Sequence, residues 1–320
     1  MRWLALLALL ISGTVFAPHV AAQPTETATI DHVVAVTSRW LQVYVRSPAM
    51  AGIVHIDLLL PADTTSPHPT VYLLEGIDSA RPDQNDWTAQ GGAVDFFADK
   101  DVNVVLPVGG AGSFYTDWQR PDPLRGRQQW ETLLTRELPP LLDTRFHGNG
   151  VDAIVGISMG AQAAMMLAER SGDLYRAVSA LSGCFDSGDT LGKAELRYII
   201  ATDGSDPDNM WGPATDPDWL AHDVLAHASQ LTGKSLYIYA ATGFPGVHEN
   251  SATPNLPDAV LEGGAIEFGA RLCTEALQRR LGELGIPATY DLAPAGTHSW
   301  PYWRDQLSAE WPVLAAALGR

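Results

Sequence analysis

Short apolar runs alternating with helix-forming segments predict an α/β fold, a mostly parallel sheet with helices on both faces. Three observations carry this. Residues 151–155 read as a buried strand, pass through Gly156-Ile157-Ser158-Met159-Gly160, and lead into good helix formers at 161–169. Strand-like runs recur at residues 70–74, 102–107, 177–181, 235–240 and 288–292. Helix-like segments at 93–100, 128–138, 220–231, 266–284 and 301–318 separate or follow them, with no repeat, charge block or linker between.

The chain in order adds detail to this frame. After a polar lead at 24–29, residues 40–45 alternate, and residues 53–60 place His55 and Asp57 on one face against apolar residues on the other. A Pro/Ser/Thr loop at 61–69 precedes the strand that ends in Glu75-Gly76, and a polar loop follows at 78–86. The glycines of Gly109-Gly110-Ala111-Gly112 lack the lysine and spacing of a phosphate cradle, so they read as a loop over the sheet's C-terminal edge. Pro139-Pro140 is expected to stop the helix at 128–138. Residues 182–217 form an excursion over the sheet, and 242–257 a long Gly/Pro loop.

Composition excludes several function classes. Of 320 residues, 46% are hydrophobic and 18% charged, which suits a chain with a sizeable core. A formal charge of −17 argues against nucleic acid and against electrostatic docking on anionic lipid. Arg2, the apolar run 4–11 and the small residues Val20-Ala21-Ala22 read as a secretory signal peptide, residues 1–22, cleaved before Gln23. Residues 23–37 are then a short lead and 38–320 a single catalytic domain, with no membrane segment in the mature chain. Export makes Cys184 and Cys273 a candidate disulfide; two separate buried thiols are the alternative.

Gly156-x-Ser158-x-Gly160 between strand and helix is the context of a nucleophile elbow, and with it the expectation of an α/β-hydrolase fold. A serine hydroxyl needs a base, and only His298 follows the last strand. His222 and His227 have no completing ligand spacing for a metal and read as a solvated helix face. The acid belongs on the loop after 235–240, where Glu249 is the first carboxylate and Asp258 the alternative. Oxyanion donors are expected at the backbone N–H groups of Met159 and, by position, Ile77. This chemistry requires no cofactor or metal.

From about Ser38 onward the chain resembles the secreted mycolyltransferase (antigen 85) family of the esterase D group. The matching motifs are Tyr72-Leu73-Leu74-Glu75-Gly76, Leu106-Pro107-Val108-Gly109-Gly110, Ser113-Phe114-Tyr115-Thr116-Asp117-Trp118, Trp130-Glu131-Thr132-Leu133-Leu134, Met210-Trp211-Gly212-Pro213 and Gly296-Thr297-His298-Ser299-Trp300. The resemblance implies a Ser158–Glu249–His298 triad and transfer of a mycolyl group from trehalose monomycolate to a second trehalose monomycolate or to arabinogalactan, outside the cell or in its envelope. It also implies substrate contacts at Glu75, Asp78, Ser299 and Trp300. Glu75 and Asp78 stand where the family has an Asp and an Arg that help hold trehalose. A secreted carboxylesterase is the second reading, and a non-catalytic carbohydrate-binding relative the third.

Overall fold

A nine-stranded sheet runs through the molecule in the order β1-β2-β3-β5-β4-β6-β7-β8-β9. The computed structural model describes residues 27–78, 81 and 83–320; residues 1–22, expected to be a signal peptide, lie outside them. Strands β1 (Thr29–Ala35), β2 (Trp40–Ser47) and β3 (Gly52–Leu59) form an antiparallel meander at one edge. β3 pairs antiparallel with β5 (Asn103–Pro107). The remaining ladder is parallel: β5 to β4 (His68–Leu74), then β6 (Gly148–Ile157), β7 (Tyr175–Leu181), β8 (Ser235–Ala240) and β9 (Thr289–Leu292). Because β4 lies between β5 and β6, the chain changes direction across the sheet there. Crevices at such reversals lie at the carboxyl ends of the strands and are the common ligand sites of open α/β sheets.

β4 shows why the sheet is buried on both sides. Its side chains alternate, with Tyr72 and Leu74 in one apolar core and Val71 and Leu73 in the other. The first core packs under the helix Met159–Arg170, whose Met165, Leu167 and Ala168 are fully buried. The second packs under the C-terminal helix Trp300–Leu318 through Trp303, Leu307, Leu314 and Leu318. The mostly parallel sheet covered on both faces that the alternation predicts is the one observed, and it is the α/β-hydrolase architecture expected from the elbow and the resemblance.

Three local expectations are corrected. β1 lies inside residues 23–37, which read as a short lead; its mostly exposed residues are held by pairing with β2, not by burial. The helix that begins at Trp130 does not stop at Pro139-Pro140. A π-helical turn, Leu133–Glu137, widens it, and the next helix, Leu138–Phe146, starts with the prolines in its first turn, where their missing N–H groups cost nothing. His222 is buried, its ring stacked on Trp211 at 4.4 Å, so only His227 lies on the exposed face.

The second core also encloses a carboxyl group. Glu310 on the C-terminal helix is wholly buried and accepts a hydrogen bond from the Ser179 hydroxyl of β7. Burial pushes its carboxyl up to about 8, against the pull of that hydrogen bond. Burial and then the charge of Asp143 push Asp152 up to about 7, and burial and then Asp223 push Glu169 up to about 9. In each case the folded chain holds its proton more tightly than the unfolded chain. This stabilisation is complete below the ordinary carboxylate range and is lost as pH rises through the folded values, about 7 to 9. The Tm should therefore be lower at about pH 8.5 than at about pH 5.5, and Glu310→Gln should raise it at the higher pH with little effect at the lower. Equal effects of Glu310→Gln at both values would contradict this.

Candidate active site

Ser158 sits between β6 and the helix Met159–Arg170 with φ 52° and ψ −119°, a conformation that costs a non-glycine residue about 1–3 kcal/mol. The flanking glycines are required by contact. A Cβ on Gly156 would lie 1.9 Å from the Gly160 carbonyl oxygen, and one on Gly160 would lie 2.4 Å from that of Glu75. The reward for this strain is exposure of the Ser158 hydroxyl above the strand ends, in a cleft of about 1110 Å³.

His298 arrives on the loop between β9 and the C-terminal helix. Its Nε2 is 2.8 Å from Ser158 Oγ. Its Nδ1 is 2.8 Å from Glu267 Oε2, not from Glu249. The structure thus brings Ser158 and His298 together, and places Glu267 rather than Glu249 at the imidazole. The helix expected at 266–284 runs from Leu256 to Leu284, so it begins earlier and takes in the last residues of the loop read at 242–257. Asp258 falls in its first turn, without a hydrogen bond to His298 among the described residues. Glu267 falls on its core face with Gly264, Ala270, Thr274, Leu277 and Leu281. A carboxylate in that otherwise small and apolar stripe is the signal that could have marked it in the sequence.

Glu267 has no exposed surface, so its charge needs fixed donors. Its Oε1 accepts the Ala241 N–H at 2.7 Å, just past the end of β8, and the Ser182 hydroxyl at 2.9 Å, just past β7. Ser182 in turn accepts the Trp303 indole N–H at 3.1 Å, and the Trp303 ring meets His298 edge-on at 4.9 Å. The Cys184–Cys273 disulfide, S–S 2.02 Å, ties the Ser182 loop to the helix that carries Glu267. Neither Ser182 nor Trp303 can be assigned a role near the acid from sequence until Glu267 is placed.

Glu249 does a different job. It accepts hydrogen bonds from Thr297 Oγ1 at 2.7 Å, Tyr302 OH at 2.5 Å and Gly246 N–H at 2.7 Å. Burial pushes its carboxyl up, but these three donors outweigh burial and hold it below the usual range. It fixes the backbone beside His298 through Thr297.

The donors expected for an oxyanion flank the nucleophile. A Cβ on Gly76 would stand 3.5 Å from Ser158 Cβ, an ordinary contact distance, so the loop after β4 lies directly beside the nucleophile. Ile77 and Met159 both line the cleft, and neither N–H has a hydrogen-bond partner among the described residues. The Ile77 carbonyl accepts the Gly112 N–H at 3.2 Å, which moors this loop to the glycine cluster after β5. Glu75 is buried and accepts the Asp86 N–H, whereas Asp78 is exposed on the cleft wall. Ser299 and Trp300 also line the cleft, with Trp300 edge-on to Trp87. Among the described residues no cluster of His, Cys, Asp and Glu could hold a metal ion.

Two tests follow from this geometry. In steady-state hydrolysis of a p-nitrophenyl ester, Glu267→Gln should lower kcat on the order of 10³-fold or more, because the imidazole loses its orienting carboxylate. Glu249→Gln should lower it less than about tenfold while reducing stability by about 1–2 kcal/mol; the reverse pattern would return the acid role to Glu249. The disulfide closes a loop with a sequence separation of 89 residues, so Cys184→Ser/Cys273→Ser should cost roughly 2–4 kcal/mol in denaturant unfolding.

Residues 47–314 match the Esterase family, described as Putative esterase. The diacylglycerol acyltransferase/mycolyltransferase Ag85B of Mycobacterium avium is 33% identical over 261 residues, which cover 78% of this chain and 76% of that one. Ag85A of Mycobacterium tuberculosis, which bears the same descriptive name, is 33% identical over 258 residues, 78% and 74% of the two chains. Among solved structures, Mycobacterium tuberculosis MPT51 (FbpC1) superposes with a TM-score of 0.74 at 26% identity, over 88% of this chain and all of that one. An S-formylglutathione hydrolase from Agrobacterium tumefaciens has a TM-score of 0.65 at 16% identity, over 90% and 99% of the chains, and shares the fold alone. The chain belongs to the esterase family and, within it, to the antigen 85 acyltransferases/mycolyltransferases.

Proposed function

We propose that this enzyme moves a mycolyl group from trehalose monomycolate to a sugar hydroxyl, of a second trehalose monomycolate or of arabinogalactan, through an acyl-enzyme on Ser158. The observation that carries the reading is the chain of contacts from Ser158 Oγ to His298 to Glu267, 2.8 Å at each step. In the first half-reaction His298 Nε2 takes the Ser158 proton as Oγ attacks the ester carbonyl. The negative charge that develops on the carbonyl oxygen is met by the Ile77 and Met159 N–H groups. Buried Glu267 holds the imidazole with Nδ1 as donor and stabilises the imidazolium. His298 then returns the proton to the departing sugar oxygen. The second half-reaction runs the same steps backwards with an acceptor hydroxyl in that place.

Transfer and hydrolysis differ only in which hydroxyl reaches the acyl-enzyme first. A secreted carboxylesterase of the esterase D type is therefore the second reading, favoured by the family match over residues 47–314. A purely carbohydrate-binding role is disfavoured, since such a role would not need a strained serine aligned on a base and a buried acid. The reading places the protein outside the cell or in its envelope, with residues 38–320 as one catalytic domain. Ser299 and Trp300 are its candidate walls for the sugar or acyl group.

Incubation with trehalose monomycolate should yield trehalose dimycolate, resolved by thin-layer chromatography and mass spectrometry. Free mycolic acid as the sole product would establish the esterase reading instead. Ser158→Ala should remove either activity by on the order of 10³-fold or more.

A further inference from the structure

We propose that Arg125 is a positioning residue for the reaction: with Asp203 it staples the loop that carries the Ile77 N–H, one oxyanion donor, to the helix that walls the cleft. This rests on the Ser158 acyl-enzyme reading and specifies what holds one of its two donors in place.

The glycine cluster after β5 takes no part in the relay from Ser158 to Glu267, but it holds Ile77. The Gly112 N–H donates to the Ile77 carbonyl at 3.2 Å. One residue earlier, the Ala111 carbonyl accepts a hydrogen bond from Arg125 Nη1. Gly112 itself turns with φ 60°, and a Cβ there would lie 2.1 Å from Asp203 Oδ2 and 2.8 Å from Arg125 Nη2. The Arg125–Asp203 ion pair thus packs directly against the turn that moors Ile77.

The guanidinium is fully engaged. Nε donates to Ser205 Oγ at 2.8 Å, Nη1 to the Ala111 carbonyl, and Nη2 to the Asp203 carboxylate and, at 3.2 Å, to its carbonyl. A planar fork reaches these four acceptors together, which the point charge of a lysine does not. The Arg125 side chain is only 14% exposed, so water and salt screen the pair little. Asp203 caps the C-terminus of the helix Thr190–Thr202, an end that favours a cation. Glu195, Leu196, Tyr198 and Ile199 of that helix line the cleft. One side chain therefore joins the cleft wall to the loop of the oxyanion donor.

The arginine also starts from a fixed base. Buried Asp122 accepts the Leu124 and Arg125 N–H groups at 2.9 and 3.2 Å. It also accepts the Asp206 N–H at 3.2 Å and the Ser205 hydroxyl and Asn209 amide at 3.3 Å each. Both ends of the Arg125 side chain are thereby tied to the segment after the helix Thr190–Thr202. None of these groups has a hydrogen bond to Ser158, His298 or Glu267 among the described residues. Loss of Arg125 should therefore act through the oxyanion donor and leave the nucleophile and base in place.

The test compares wild type, Arg125→Ala, Arg125→Lys and Asp203→Asn in hydrolysis of p-nitrophenyl butyrate. Arg125→Ala should lower kcat about 10- to 100-fold, with KM changed less than about twofold, because the lost contact is made in the transition state. A butyl trifluoromethyl ketone takes Ser158 Oγ on its carbonyl carbon and then carries the charge on its oxygen, so it reports the same donor. Its Ki should rise by the factor by which kcat/KM falls. Millimolar methylguanidinium should restore part of the lost kcat in Arg125→Ala and leave wild type unchanged, which a merely loosened fold would not show. Arg125→Lys and Asp203→Asn should fall between the two. A kcat for Arg125→Ala within about twofold of wild type, a fall in kcat with no rise in the ketone Ki, or no restoration by methylguanidinium would overturn the proposal. If Arg125→Ala does not fold, Asp203→Asn decides by kcat and the ketone Ki. Failure of wild type to turn over the ester would instead overturn the Ser158 reading.

Discussion

The active-site geometry depends on a carboxylate with no access to water. Glu267 is buried among apolar residues, where an unpaired charge would be strongly unfavourable. Four groups pay this cost together: the Ala241 N–H, the Ser182 hydroxyl, His298 Nδ1 and, through Ser182, the Trp303 indole. They come from the ends of β8 and β7, from the loop after β9 and from the C-terminal helix. Each element is thereby held to a common point, and the disulfide adds a covalent tie between two of them. Removing one donor would loosen the others, since groups sharing one network do not act additively.

The nucleophile is held by a different constraint, the close approach of three backbone segments. Gly156 and Gly160 leave no room for side chains, and the close approach of Gly160 to the Glu75 carbonyl brings the loop after β4 against the elbow. The strain at Ser158 is sustained because β6 lies between β4 and β7, with apolar packing on both faces. Rigid packing fixes where the hydroxyl stands, and the Glu267 network fixes where the imidazole meets it. The cleft above them is lined by Phe114, Met159 and Ile199 on its apolar side and by exposed carboxylates at its wall.

Much of this was legible in the residues, for physical reasons that also explain the failures. Strands buried on both faces are continuous apolar runs, so β4 to β8 stand out, and a strand–turn–helix with paired glycines has few other uses than an elbow. His298 was accessible because chain order leaves one histidine after the last strand. β1 was not, because an edge strand held by pairing carries no burial signal. The π-helical turn before Pro139 was not, because a local widening of the helix has no side-chain pattern of its own. Glu249 reads as the acid, with Asp258 as the alternative, because the acid is sought on the loop after β8; Glu267 lies just inside the helix read at 266–284, and the residues before it, with Gly263 and Gly264, carry no helix signal. Helix propensity there is overridden by packing of Gly264, Glu267 and Ala270 onto the sheet.

The relay from Ser158 through His298 to Glu267 can be observed without any substrate. An imidazole Nδ1–H shared with a buried carboxylate gives a far-downfield proton resonance in NMR at low temperature. The account predicts that this resonance is present in the wild-type protein, lost in Glu267→Gln and retained in Glu249→Gln. Its persistence in Glu267→Gln together with its loss in Glu249→Gln would contradict the account at its centre.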